Sequence, residues 1–373
     1  MKRALIVATV GGFISGFELS NAKILQKMGY EVHAAADFNL TPSEKEKKKL
    51  KESNLLCHQI DFLRNPFHVK NIRAYHQLKD VFSNYHFDIV HCHTPMGGVL
   101  ARLCAVKYRK SGTKVIYTAH GFHFFKGAPI HNWLIYYPIE KILSRVTDIL
   151  IVINKEDYIL AKKRLHAKKV KYLPGIGVDM KQFCSGIIDV HKKRKELGLT
   201  DVDIVLLSVG ELSKRKNHEV VIKAIRKLKN PHIRYLICGY GVMREKLEKM
   251  AEDLGVEEQI IFLGYRDDIA ELCQSADLFV LPSTQEGLSM ALMEAIACDL
   301  PVACSDIRGN RDLMTEYLFH PADVDHVMKI LDKAIDDIQH NCYKVNYNSI
   351  RKKINLIHIQ KLMRKLYEEE LWQ

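Results

Sequence analysis

Two glutamates, Glu286 and Glu294, close the segment Glu286-Gly-Leu-Ser-Met-Ala-Leu-Met-Glu294, which follows an apolar run and passes into a helical pattern. A strand end, a turn and a helix would put Glu286 in the loop and Glu294 two turns into the helix. After Gly287, the amides of Leu288, Ser289, Met290 and Ala291 would stand free at the helix N-terminus and make an anion site. Two carboxylates beside it can accept hydrogen bonds from hydroxyls. Phosphate plus several hydroxyls describes a nucleotide sugar. The same residues could instead be an acid favouring the helix dipole and a glutamate facing solvent.

Other candidates sit at strand ends. Lys214-Arg215-Lys216 follows a strand ending at Val209-Gly210, where cations could meet a diphosphate, although such clusters are often only solvated. Gly11-Gly12 and Gly239-Tyr240-Gly241 are glycine turns after strands, where backbone amides can approach a phosphate. Neither carries the full G-x-G-x-x-G dinucleotide pattern. His120 lies at the carboxyl end of a strand, where open α/β sheets bind ligands. His91, His93, His120 and His123 invite a metal hypothesis, but no cysteine or acid stands at matching spacing, and the reading is made without a metal. Two Asp-Val-Asp triplets, 201–203 and 323–325, fall away from the strand tips and read as surface.

The elements that must position these groups come from short apolar runs followed by longer helical patterns, the signature of a parallel α/β sheet. Strands are expected at Ala4–Thr9, Glu31–Ala36, Ile89–His93, Lys114–Thr118, Ile149–Ile153 and Val170–Tyr172, then at Ile204–Val209, Arg234–Cys238, Ile260–Leu263, Leu278–Leu281 and Pro301–Ala303. Helices are expected at Glu18–Lys27, Lys70–Asn84, Gly97–Arg109, His218–Leu228, Met243–Leu254, Ile269–Cys273 and Met290–Cys298. A length of 373 residues favours two domains. An irregular stretch from Gly175 to about Thr200, with Pro174, Gly177 and Gly186, marks the boundary. The chain ends in a helix carrying Ile350, Ile354, Ile357, Leu362 and Leu366, suited to packing on a domain.

No apolar run spans a bilayer, and the start reads as a buried strand rather than a secretory leader. Nine scattered cysteines without C-x-x-C suggest neither a disulfide framework nor a zinc site and point to a cytoplasmic protein. The net charge of +12 is lopsided: residues 1–180 carry 28 Lys and Arg against 14 Asp and Glu, residues 181–373 carry 28 against 30. A basic half fits an anionic membrane face or nucleic acid, but no nucleic-acid motif accompanies it.

Taken together, the chain resembles glycosyltransferase family 4, whose GT-B fold has two Rossmann-like domains facing across a cleft. The resemblance rests on Glu286–Glu294, supported by Asp88-Ile-Val-His-Cys-His93, Thr118-Ala-His-Gly121, Pro174-Gly-Ile-Gly-Val-Asp179, Gly210-Glu-Leu-Ser-Lys-Arg-Lys216, Cys238-Gly-Tyr-Gly241 and Phe262-Leu-Gly-Tyr265. His91–Arg102 and His120–Pro129 look closest to the bacterial subgroup that builds capsule and exopolysaccharide repeat units. The resemblance implies an α/β chain with an acceptor-side domain at 1–180, a nucleotide-sugar domain at 181–349, and a C-terminal helix, 350–373, crossing back onto the first domain.

It also implies retaining transfer from a nucleotide sugar, commonly UDP-linked, with no cofactor and no obligatory metal. Lys216 would hold the diphosphate, Glu286 the donor-sugar hydroxyls, Glu294 the ribose, and the backbone near Tyr265 and Arg266 the base. Gly11 and Gly12 would lie by the diphosphate and the acceptor, and His120 by the donor sugar. The acceptor would be a polyprenyl-diphosphate-linked saccharide, and the lysines of 45–51 would make peripheral contact with anionic lipid at the inner face of the membrane. There are two departures from the family pattern. Glu211 replaces the usual arginine after the strand-end glycine, so that Arg215 would substitute, and the segment after Asp312 is shortened. A UDP-sugar epimerase of the same fold, a sugar-binding protein and a nucleic-acid binder are the rival classes.

Overall fold

The computed structural model describes residues 1–40, 44–63, 65–66, 68–184 and 188–370; Gly186 lies outside them. The chain divides into two compact units, Met1–Ile176 with Ile357–Gln373, and Gly177–Leu356.

In the first unit β1 (Arg3–Val10), β2 (Glu31–Asp37), β3 (Leu56–Gln59), β4 (Ile89–His93), β5 (Lys114–Ala119), β6 (Ile149–Val152) and β7 (Lys169–Tyr172) form one sheet in the order 3-2-1-4-5-6-7. All its pairings are parallel. Both faces are covered, so Ala4 to Ala8 are fully buried, as a strand that is apolar on both sides requires. In the second unit β8 (Ile204–Val209), β9 (Ile233–Cys238), β10 (Ile260–Gly264), β11 (Leu278–Leu281), β12 (Val302–Ser305) and β13 (Leu318–Phe319) run 10-9-8-11-12-13. Strand order reverses between β1 and β4 and again between β8 and β11. Crevices at the carboxyl ends of such pairs are where open α/β sheets bind ligands.

The structure corrects several expectations. β3 and β13 were not expected, β3 because its exposed Leu56 and Cys57 hide any alternation and β13 because it is two residues long. β13 pairs with β12, so the shortened segment after Asp312 leaves the sheet edge formed. The basic run at 191–195 is helical within Val190–Glu196, capped by Asp189. Ile130–Ser144 and Lys155–Arg164 are further helices, the first aromatic-rich and containing Pro138, the second almost without an apolar face. Asp203 is buried, accepts from the Thr200 amide and pairs with Arg234, so in the first Asp-Val-Asp triplet that residue is structural, while Asp201 and Val202 are exposed as expected.

The C-terminal stretch is two helices, Asn348–Ile354 in the second unit and Leu356–Lys365, which leads into a wider turn at Leu366–Glu370. Ile359, Met363, Leu366 and Tyr367 pack on β1, β4, β5 and β6 through Ile6, Ile89, Ile116 and Ile149. Ile357, expected on the apolar face, is exposed.

On the opposite face of the first sheet, Arg102 is fully buried and makes a bidentate pair with Glu140, at 2.8 and 3.0 Å. Its guanidinium lies 3.9 Å from the Tyr117 ring centroid and donates to the Gly98 carbonyl. The pair clamps the Pro95–Ala105 helix to the Ile130–Ser144 helix. Glu140→Ala leaves a buried cation without its counter-ion and is expected to cost about 3–5 kcal/mol. Denaturant unfolding measures this; a loss under about 1 kcal/mol would show that water reaches the guanidinium.

Candidate active site

The second unit gathers its polar side chains at the carboxyl ends of β8 and β11. Glu286, in the loop after β11, is buried with one oxygen 2.9 Å from Lys216 Nζ and 2.8 Å from Arg215 Nη1. Burial pushes its carboxyl up, but Lys216 and Arg215 outweigh that and hold it below its usual range. Two cations therefore converge on one ionised carboxylate. Gly210 makes room for this: at φ +153° a Cβ there would stand 2.9 Å from Lys216 Cε. Gly239 serves the same crossing from β9, since a Cβ would lie 2.0 Å from the Gly210 carbonyl oxygen.

The helix after Glu286 is Met290–Ala297, capped by Ser289, whose hydroxyl accepts from the Leu292 amide at 3.4 Å. Leu288 and Ser289 are buried and Gly287 half-buried. The cap uses the Leu292 amide and leaves the amides of Met290 and Ala291 for an incoming anion. Glu294, half-buried, is pushed up to about 7 by burial, and no described side chain pairs with it. An unpartnered, partly desolvated carboxyl is ready to take hydroxyl donors.

Sequence reasoning missed Tyr240. Its ring stacks at 6.5 Å and 17° on Tyr265, both rings more than half exposed. The clue was Gly239-Tyr240-Gly241, read only for its glycines. Arg266 is drawn away by its side chain, which pairs with Asp268 and Glu196. Only its backbone stands with Tyr265. Glu211 is exposed, and Arg215 supplies the second cation at Glu286.

In the first unit β1 runs directly into a helical turn at Gly11–Phe13, with Gly11 buried. A π-helical stretch, Ile14–Glu18, follows before the regular helix Leu19–Lys27. The widened turn rotates Glu18 inward, where it is buried. Glu18 Oε2 lies 3.2 Å from His93 Nε2, without hydrogen-bond alignment, and Asn21 donates to the same oxygen at 2.7 Å. His93 Nδ1 is 3.3 Å from His120 Nε2, and the Phe13 ring stands edge-on to His120 at 4.9 Å. Burial lowers His93 and His120 to about 3, so both rings are neutral near pH 7, while burial raises Glu18. A narrow cleft adjoins them, with Phe17, Glu18, His93, Thr118 and Gln360 in its wall.

Four histidines were expected together; the structure joins only two of them with an acid. His91 is buried behind the pair, bonded to Tyr367 Oη at 2.7 Å and Thr118 Oγ1 at 2.8 Å, and His123 stacks on Tyr136. Donor atoms of Glu18, His93 and His120 come within 4.8 Å of one another, which a metal ion could use. The short contacts, however, use opposite nitrogens of the His93 ring, so a proton-passing chain would need only the Glu18 contact to come into alignment. At the end of β4, Thr94 holds φ +61°, uncommon for a β-branched residue. Its hydroxyl accepts from the Thr9 amide at 2.9 Å and tethers β1 to the next helix.

Residues 189–350 match the family described as Glycosyl transferases group 1, and residues 5–154 the family described as Glycosyl transferase 4-like. The chain is 41% identical over 319 residues to a Bacillus subtilis protein bearing the glycosyltransferase name EpsD, covering 84% of this chain and 81% of that one. It is 30% identical over 352 residues to an Escherichia coli UDP-Gal:alpha-D-GlcNAc-diphosphoundecaprenol alpha-1,3-galactosyltransferase, covering 86% and 90%. Among solved structures, Anabaena Alr3699/HepE in complex with UDP-glucose superposes with TM-score 0.81 at 17% identity, covering 98% of this chain and 99% of that one, a likeness of fold.

Proposed function

The chain belongs to the family 4 glycosyltransferases of GT-B fold, and on that premise we propose that it transfers a sugar, with retention, from a UDP-sugar to a polyprenyl-diphosphate-linked saccharide in capsule or exopolysaccharide synthesis. The observation that carries this reading is the buried Glu286 between Lys216 and Arg215, beside an open helix end and the unpartnered Glu294. Lys216, Arg215 and the Met290 and Ala291 amides take the diphosphate; Glu286 then turns from the cations to the donor-sugar hydroxyls. Glu294 takes the ribose, and the Tyr240–Tyr265 pair with the backbone at 265–266 takes the base. Charge grows on the departing diphosphate as the anomeric centre becomes oxocarbenium-like, so cations and helix-end amides supply the stabilisation a metal gives elsewhere. In the first unit, Gly11 and Gly12 receive the acceptor and His120 the sugar. The lysines of 45–51 contribute peripheral attraction to anionic lipid at the inner membrane face. No helix among the described residues is long and apolar enough to cross a membrane.

The test is binding across UDP-, GDP- and ADP-sugars, followed by transfer to a polyprenyl-diphosphate saccharide with and without EDTA. Binding confined to UDP-sugars and transfer that survives EDTA support the reading. Interconversion of the donor sugar without acceptor would mark an epimerase instead.

Glu294 gives a separate pH signature. Hydroxyl donors favour its ionised form, so UDP-sugar binding near pH 7 is expected to release protons and to weaken as pH falls below about 7. Calorimetry in buffers of different ionisation enthalpy measures that release, which Glu294→Gln abolishes. The sign for stability is opposite. A folded carboxyl raised from 4.5 to about 7 holds its proton more tightly than the unfolded chain, so this group costs stability as pH rises through that interval.

A further inference from the structure

The helix Ile130–Ser144 has its inner side anchored and its outer side bare. Inward, Glu140 holds Arg102, Trp133 Nε1 donates to the Phe125 carbonyl, and Leu143 and Ser144 are buried. Outward, Ile130 is 75% exposed, Leu134 71%, Ile142 63% and Ile139 36%. Ile130, Leu134 and Ile142 fall within about 120° of the helix circumference and form one stripe, with Ile139 about 60° beyond its edge. Beside it, at the end of the neighbouring helix, Leu103 and Val106 are also nearly half exposed. A contiguous apolar patch on a soluble face marks an interaction site.

The charges around the patch select the partner. Residues 69–145 carry eleven Lys and Arg against three Asp and Glu, and one of those acids, Glu140, is consumed inside by Arg102. Arg145 caps the helix and Lys126 precedes it by four residues, both exposed, and Lys107 and Lys110 are exposed just past the end of the neighbouring helix. Apolar side chains ringed by cations fit the headgroup boundary of an anionic bilayer, into which a helix lies flat. The lysine run proposed above as a lipid contact lacks the apolar half: in Glu44–Lys51 the one large apolar residue, Leu50, is buried, and Lys47 and Lys48 are partly neutralised by Glu44 and Glu52.

We propose that the outer face of the 130–144 helix is the docking surface of this protein for an anionic lipid leaflet, with Ile130, Leu134 and Ile142 entering the acyl boundary and the surrounding lysines and arginines meeting headgroups. The inference deepens the lipid-linked acceptor reading and rests on it for its purpose. Its physical basis, the patch, is independent of that reading.

The test is sedimentation of the full chain with vesicles of phosphatidylcholine alone or mixed with phosphatidylglycerol. The wild type is expected to pellet with the anionic vesicles and to lose binding as salt rises. Leu134→Glu with Ile142→Glu is expected to weaken partitioning about tenfold or more, with UDP binding and the thermal midpoint unchanged because both side chains face outward. Charge reversal of the lysines in 45–51 is expected to cost less than that double substitution. Equal pelleting of the double variant and the wild type would overturn the proposal. So would a wild-type dimer in gel filtration that Leu134→Glu splits, since a second copy would then cover the face. Transfer to a detergent-dispersed acceptor separates the two readings: a wild type that pellets but transfers nothing refutes the acceptor assignment and leaves the docking surface standing.

Discussion

Lys216→Ala is expected to lower kcat/KM about 10²–10³-fold, the cost of removing one pre-aimed charge from a developing anion, while the thermal midpoint moves little. The basis is the position of Lys216, nearly buried with Nζ 2.9 Å from Glu286. On the proposed reading the variant loses a diphosphate ligand, and it also loses one of the two cations that keep Glu286 ionised. Lys216→Arg should recover little despite keeping the charge. The lysine stem already lies so close to Gly210 that an added Cβ would approach within 2.9 Å, and a planar guanidinium needs more room than an ammonium. Gly210→Ala should reproduce much of the defect by displacing the same stem. Steady-state kinetics with a UDP-sugar decides it, and wild-type turnover in Lys216→Ala would remove this cation from the diphosphate site.

Glu18→Gln is expected to cost about 10–10²-fold in kcat, within the range of a disturbed proton-transfer group, with KM for the donor little changed. When Glu18 is ionised it can accept from His93 Nε2–H, which leaves His93 Nδ1 to accept from His120 Nε2–H and leaves His120 Nδ1 bare for a sugar hydroxyl. When Glu18 is protonated the chain runs in the opposite sense, and His120 presents a donor. Because burial raises Glu18, this reversal comes at a higher pH than for an exposed glutamate. The kcat of the wild type at saturating donor should therefore fall as pH drops through that raised value. The amide cannot titrate, so the variant should be flat there. A variant that retains the acid limb would assign it to another group. Nitrogen NMR of the His120 tautomer reads the same switch without turnover.

Much of the scaffold was legible in local pattern. Eleven strand cores followed from short apolar runs, because a parallel strand covered on both faces must be apolar throughout. Glu286, Glu294, Lys216 and the helix start near Met290 followed from a strand-to-helix motif whose partners lie at short range in the chain or at neighbouring strand tips. The failures have a common origin. The 130–144 helix is apolar around most of its circumference, so no periodicity set it apart. Tyr240 was concealed between two glycines whose backbone role was the stronger signal. His123 and Ile357 were assigned by type and spacing, yet one faces Tyr136 and the other faces out.

From the sequence by itself came the alternation of strands and helices, the two-unit organisation, the family and the grouping of Lys216, Glu286 and Glu294 at strand ends, since each depends on period, spacing and local motif. The tertiary structure alone decided that a π-helical turn swings Glu18 beneath two histidines at the ends of other strands. It alone decided that Tyr367 closes over His91 from 276 residues away and that one apolar helix keeps a bare outer stripe. Periodicity records which face of an element is apolar. Which residue meets that face, or whether any does, is set by chain crossings between distant segments, and these leave no local trace.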